Sequence, residues 1–289
     1  MRTRAADAGD ARRPAARAGG GLILAGLALA LAGAISTQAA AAPAARVLAF
    51  DQCADQYVLG LAPRSAIVGL STRADDADSR LRHLATGLPR FRVDLETALS
   101  RRPEVVVRYW GGDPRLVAAL ERRGVRVVTI DEAGDFDGVR ANIRKVAAAL
   151  GQTARGEALV AHMDARLARS AGAWRGETAL YLTPGGVTAG PGALVHAVLT
   201  AAGLRNAETR PGFQTASLEA LALDPPRRVV LGFFDSLQAA GDAWGPGRHR
   251  VLKRVAAERA VASIPSRYLG CPDWGAAEAV ELLAAKAPR

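Results

Sequence analysis

Two segments, RVLAFDQCADQ at 46–56 and PEVVVRYWGGD at 103–113, constrain this chain more than any other feature. Each is a short, β-branched, apolar run that halts at polar, glycine or aromatic residues and then enters a helical pattern. In an open parallel sheet such a junction is the carboxyl end of a strand, the edge where ligands are held. Cys53, Asp55, Gln56, Tyr109 and Trp110 all fall at these junctions. No nucleophile–base pair accompanies them, which suits a site that grips a molecule without transforming it.

The rest of the chain repeats the alternation. Strand patterns at 47–50, 67–70, 104–107 and 125–130 alternate with helical patterns at 55–61, 94–102 and 114–123, which implies a parallel α/β lobe with right-handed crossovers. Between 136 and 172 the pattern is helical, with Val139, Ile143, Val146 and Leu150 at helical spacing and Leu159, Val160, Met163 and Leu167 continuing the stripe beyond Gly151. A second α/β set follows, with a strand at 179–183, helices at 194–202 and 217–221, and an apolar run after Pro226. Asp94-Leu-Glu before one apolar strand answers to Ser217-Leu-Glu before another, as an internal pseudo-repeat would. At 289 residues two lobes are expected. Their bounds are an N-terminal lobe at 46–134, a linking helical segment at 135–174 and a C-terminal lobe at 178–289, with the ligand cleft between them.

Residues 1–42 read as a cleavable signal peptide. An arginine-bearing opening leads to GLILAGLALALAGAI at 21–35 and then to an alanine-rich cleavage zone. A membrane span needs roughly 20 apolar residues, more than this run supplies. Arg12 and Arg13 would suit twin-arginine export, but Pro14 and Ala15 follow where such a signal turns apolar. The formal charge is +10, of which five arginines and two aspartates in 1–42 account for +3. The remaining arginines are scattered without a block of like charge, so nucleic acid is not an expected partner. His83, His162, His196 and His249 are isolated, and no metal site is expected from them. No Gly-x-Ser-x-Gly elbow, dinucleotide fingerprint or Walker loop is present, which argues against an enzyme.

With these motifs in place, the chain resembles the periplasmic solute-binding proteins of ABC importers for cobalamin and ferric siderophores. The resemblance rests on Cys53-x-Asp55-Gln56, Val68-Gly-Leu-Ser71, Asp94-Leu-Glu96 before the PEVVV strand, Trp110-Gly-Gly-Asp113, Ser217-Leu-Glu219, and the segment LGCPDWGAAE at 269–278. Pro272 and Asp273 depart from the glycines often found after the family's last cysteine. The resemblance implies two Rossmann-like lobes with parallel sheets, joined by a single long helix, in a monomer of the periplasm that needs no cofactor. It also implies that Glu96 and Glu219 dock onto arginines of an inner-membrane permease. Taken alone, each is also explained as a first-turn acid at a helix N-terminus.

By the strand-end rule the cleft is lined by Cys53, Asp55, Gln56, Arg73, Tyr109 and Trp110 from the first lobe. The second lobe supplies the loop around Gly185 and Val187, with Phe233, Phe234 and Trp274. Aromatics are 5% of the chain, so those at strand ends point to a large, flat ligand. Arg73, Arg90, Arg92 and Arg108 favour an anionic iron chelate over a corrinoid. A cobalamin binder of the same type, a secreted α/β enzyme and a ligand sensor are the rival readings. Cys53 and Cys271 are the only cysteines. An even count in an oxidising compartment fits a disulfide, whereas the room a large ligand needs fits two separate thiols, and both readings stand at this point.

Overall fold

The computed structural model describes residues 44–109, 113–235 and 249–288. The expected leader at 1–42 and Trp110 lie outside the described residues. The first lobe runs β1 (Val47–Ala49), α1 (Gln52–Leu61), β2 (Ile67–Ser71), α2 (Arg82–Ala85), β3 (Arg90–Phe91), α3 (Leu95–Ser100), β4 (Val105–Arg108), α4 (Pro114–Glu121) and β5 (Arg126–Thr129). Its sheet has the order β3-β2-β1-β4-β5 with every pair parallel. Helices on both faces explain why the central strands are apolar on both sides: Leu48, Val106 and Val107 are fully buried. Helix α1 starts three residues earlier than the pattern suggests, because Asp51 caps it by accepting from the amides of Cys53 and Ala54.

The link between the lobes is two helices, α5 (Phe136–Ala149) and α6 (Thr153–Ser170), where one long helix was expected. The apolar stripe continues across the break, so the spacing alone did not show it. Gly151 takes the left-handed conformation (φ +67) that ends α5. The two helices then fold against each other. A Cβ on Gly156 would lie 2.5 Å from that of Ala147, so only glycine allows the crossing. Arg144 pairs with Glu157 and Arg140 with Asp164 across it.

The second lobe runs β6 (Thr178–Leu182), β7 (Val187–Ala189), α7 (Leu194–Ala201), β8 (Arg205–Asn206), β9 (Phe213–Thr215), α8 (Leu218–Leu223), β10 (Val229–Gly232), α9 (Arg250–Arg259), β11 (Ala260–Ile264) and α10 (Gly275–Ala284). Its parallel sheet has the order β11-β10-β6-β8. The pseudo-repeat is visible in the topology: β2-β1-β4-β5 of the first sheet corresponds to β8-β6-β10-β11 of the second. The loop expected after β6 instead forms β7, which pairs antiparallel with β9.

Candidate ligand-binding cleft

The cleft is built where the carboxyl edges of the two parallel sheets meet. In the first lobe, Asp51 ties two strand ends together. One carboxylate oxygen caps α1, and the other accepts from the amide of Tyr109 at 2.6 Å, just past β4. Burial pushes the Asp51 pKa up, against those amide bonds.

Asp55 and Gln56, both expected to meet ligand, are used in holding the chain. Asp55 is fully buried and accepts from the amide (2.9 Å) and hydroxyl (2.6 Å) of Ser71 at the end of β2. Burial pushes its pKa up to about 7. The Gln56 side chain accepts from the amide of Leu81 and donates to the buried Ser79 hydroxyl at 2.7 Å. These bonds fix the loop after β2, so Asp55 turns its oxygens into the protein. Gln56 shows only an edge to the cleft.

A strut joins the lobes along the cleft floor. Cys53 and Cys271 are disulfide-bonded, with their Cα atoms 5.3 Å apart. The Tyr57 hydroxyl donates to the Pro272 carbonyl at 2.6 Å. Arg80, its side chain 7% exposed, pairs with Asp273 at 3.3 Å and Glu278 at 3.2 Å. Burial raises the Asp273 pKa and Arg80 opposes the rise. Trp274, expected among the cleft residues, instead completes the strut. It lies edge-on to Tyr57 at 5.3 Å, beneath the Arg80 guanidinium and against Gly60, where a Cβ would come within 2.6 Å of the indole.

The bridge leaves room for a ligand because the open space lies around it, in three adjoining chambers. One, of ≈ 300 Å³, is mainly apolar, with Tyr109 and Glu132 facing Tyr181, Leu194, Phe213 and Phe233 above Cys271. The Tyr109 hydroxyl donates to the Glu132 carboxylate. A second, of ≈ 350 Å³, is polar and basic, lined by Gln52, Arg73, Asp78, Ser266 and Arg267. The third, of ≈ 360 Å³, runs from Phe50 and Asp51 past Cys53 to Thr72, Arg73 and Val93. Gly270 lines all three, and Phe233 is common to the apolar and basic chambers. Phe233 is held at φ +63, a conformation non-glycine residues seldom adopt, which is a form of strain found at functional sites.

Of the expected cleft residues, Cys53, Gln56, Arg73, Tyr109 and Phe233 line these chambers. Gly185 sits in the turn before β7 and Val187 pairs with Thr215, so the strand that replaced the loop draws both away from them. Phe234 is partly exposed beside Phe233 and lines none of the three. Sequence reasoning missed Phe213, which is 66% exposed on β9, and Arg267. The scarcity of aromatics was the one signal that could have found Phe213. Glu96 and Glu219 are exposed in the first turns of α3 and α8. Asp94 caps the first helix at 2.7 Å and Ser217 the second at 3.1 Å. Among the described residues no group of three or more His, Cys, Asp or Glu could hold a metal ion.

Solved structures share this fold. The periplasmic heme-binding protein RhuT from Roseiflexus sp. RS-1 is 22% identical with a TM-score of 0.64, covering 84% of this chain and 97% of its own. A periplasmic heme-binding protein from Pseudomonas aeruginosa is 25% identical with a TM-score of 0.64, covering 84% and 92%. The periplasmic vitamin B12-binding protein BtuF of Vibrio cholerae is 18% identical with a TM-score of 0.56, covering 84% and 96%. A search of curated proteins returns no match. A family model described as periplasmic binding protein matches residues 47–266, and with two parallel-sheet lobes meeting at a cleft, the chain belongs to that family.

Proposed function

We propose that this protein is the substrate-binding component of an ABC importer, capturing an anionic metal chelate in the periplasm and delivering it to an inner-membrane permease. Binding, with no chemical step, is the role. The observation that carries the ligand class is the two-sided cleft: an aromatic chamber shares the Phe233–Cys271 wall with a chamber holding Arg73 and Arg267. A flat, largely apolar chelate fits against the rings, and its anionic groups reach the Arg267 guanidinium and that of Arg73, which also holds Asp76 at 2.8 Å, through charge-assisted bonds. Heme and vitamin B12 are what the similar structures bind. A ferric siderophore is, like heme, an iron chelate, whereas vitamin B12 is a cobalt corrinoid. The arginines favour an iron chelate with free carboxylates or catecholates over a corrinoid.

Titration with hemin, a ferric catecholate and cyanocobalamin, followed by absorbance, tests this reading. One equivalent of an anionic iron chelate should bind. Arg73→Ala with Arg267→Ala should weaken it at least ten-fold, while Phe213→Ala weakens any ligand of the apolar chamber. No binding of any of the three refutes the reading, and tighter binding of cobalamin than of both iron chelates removes the anionic assignment.

Glu96 and Glu219 are the proposed permease contacts, since they occupy equivalent exposed positions on α3 and α8. Losing one partner of an interfacial charge pair costs roughly 2–5 kcal/mol. The Glu96→Ala, Glu219→Ala protein should therefore keep its ligand affinity within a few-fold and lose uptake. Uptake at the wild-type rate would overturn the docking assignment.

A further inference from the structure

The opposite edge of the second sheet carries a cavity larger than any chamber of the cleft, at ≈ 570 Å³. It is bounded by the starts of β6 and β8 and by the Pro225-Pro226-Arg227-Arg228 approach to β10. These strands are parallel and four or five residues long in β10 and β6, so the cavity lies roughly 15 Å from the cleft edge. Four arginines line it, Arg175, Arg205, Arg227 and Arg228, against only two carboxylates, Glu177 and Asp224.

The pairing is uneven. Arg228 spends its charge on Glu177 at 2.6 Å. Arg205 donates two bonds to the Thr178 hydroxyl, at 2.9 and 2.6 Å, which orients its planar head without neutralising it. Among the described residues, Arg228–Glu177 is the one ion pair in the cavity lining, and Arg175, Arg205 and Arg227 have no carboxylate partner. Arg175 is moreover one of the few non-glycine residues at positive φ (+51), in the turn that leads into β6.

We propose that this amino-edge bowl is a second binding site, for a phosphate-bearing anion. A carboxylate engages one guanidinium fork, whereas a phosphate offers three oxygens and up to two charges, and so satisfies several forks at once. At ≈ 570 Å³ the cavity has room for a diphosphate or for the headgroup of an anionic phospholipid. The two sources share one chemistry, and the test separates them.

Isothermal titration with pyrophosphate, and flotation with phosphatidylglycerol or phosphatidylcholine vesicles, would be performed on the wild type and on Arg175→Gln with Arg227→Gln. Neither exposed arginine has a bond in the protein to lose, so the melting temperature should be unchanged. Saturable pyrophosphate binding, weakened at least ten-fold in the double variant, supports the site and a soluble ligand. Flotation with phosphatidylglycerol and not phosphatidylcholine, competed by pyrophosphate and lost in the variant, supports a lipid headgroup. Arg227→Gln alone should move either signal in the same direction by less. The proposal falls if neither probe binds the wild type, or if the double variant binds as the wild type does.

Discussion

Replacing Asp55 by asparagine isolates the cost of a buried carboxyl beneath the cleft. Burial carries the Asp55 pKa from 3.8 up to about 7, and the two bonds from Ser71 only partly oppose it. Below the lower value the group is neutral in both the folded and the unfolded chain, and it contributes nothing to any difference. Between the two values the unfolded chain releases a proton that the folded chain keeps, so stability falls as pH rises. Above about 7 the whole difference is in force. At 1.36 kcal/mol per pH unit this amounts to about 4 kcal/mol of destabilisation near pH 8 and about 2 kcal/mol near pH 5.5. Asparagine keeps the local bonds, since its oxygen accepts from the Ser71 amide and its NH₂ donates to the Ser71 hydroxyl. It never ionises. The neighbouring Asp51 charge is one cause of the raised Asp55 pKa, so its repulsion is already contained in that difference. Urea denaturation of both proteins across pH 4–8 should show equal midpoints at the acid end and a growing advantage for Asp55→Asn toward pH 8, with unchanged slopes. A constant offset at every pH, or a variant less stable at pH 8, would refute the reasoning. Either result would mean that the Ser71 bonds outweigh burial and that the carboxylate is ionised in the native protein.

Two further predictions concern the cleft. Removing the bridge with Cys53→Ser and Cys271→Ser opens a loop that spans 218 positions. On the chain-entropy account this costs about 5 kcal/mol, readable as a urea midpoint shift under non-reducing conditions, and a loss below about 1 kcal/mol would show that the bridge restrains little of the unfolded chain. Phe233→Gly should relieve a left-handed backbone while removing a ring from two chambers. Its melting temperature should stay close to wild type, because the roughly 1–3 kcal/mol of relieved strain offsets the lost contacts, and chelate affinity should fall about ten-fold or more. A protein that melts far earlier and binds normally would make Phe233 a core residue.

The alternation of strands and helices was legible because periodicity is a local property, recorded in consecutive residues. So were the capped helices that carry Glu96 and Glu219, since Asp94 and Ser217 each sit three residues before the amide they satisfy. The valine run at 105–107 announced a strand buried on both faces, and it is one. Tyr109 and Arg73 follow strand ends, as their positions in the sequence imply, and both line the open chambers.

Other features depended on what distant segments do to each other. Asp55 and Gln56 occupy a junction where a ligand would be expected, yet Ser71, Ser79 and Leu81 reach them first. Trp274 could have faced the cleft until Tyr57, Arg80 and Gly60 closed around it from the other lobe. The spacing of Cys53 and Cys271 left pairing open, because sequence separation says nothing of the 5.3 Å between their Cα atoms. The pairing of β7 with β9 brought Phe213 to the cleft and drew Val187 away from the chambers. The sequence by itself determined which elements form and where their ends lie, since those follow from short-range propensity and burial period. Tertiary structure alone decided which strand-end side chains face the open chambers and which face each other, because that choice is made by contacts between segments up to 218 residues apart.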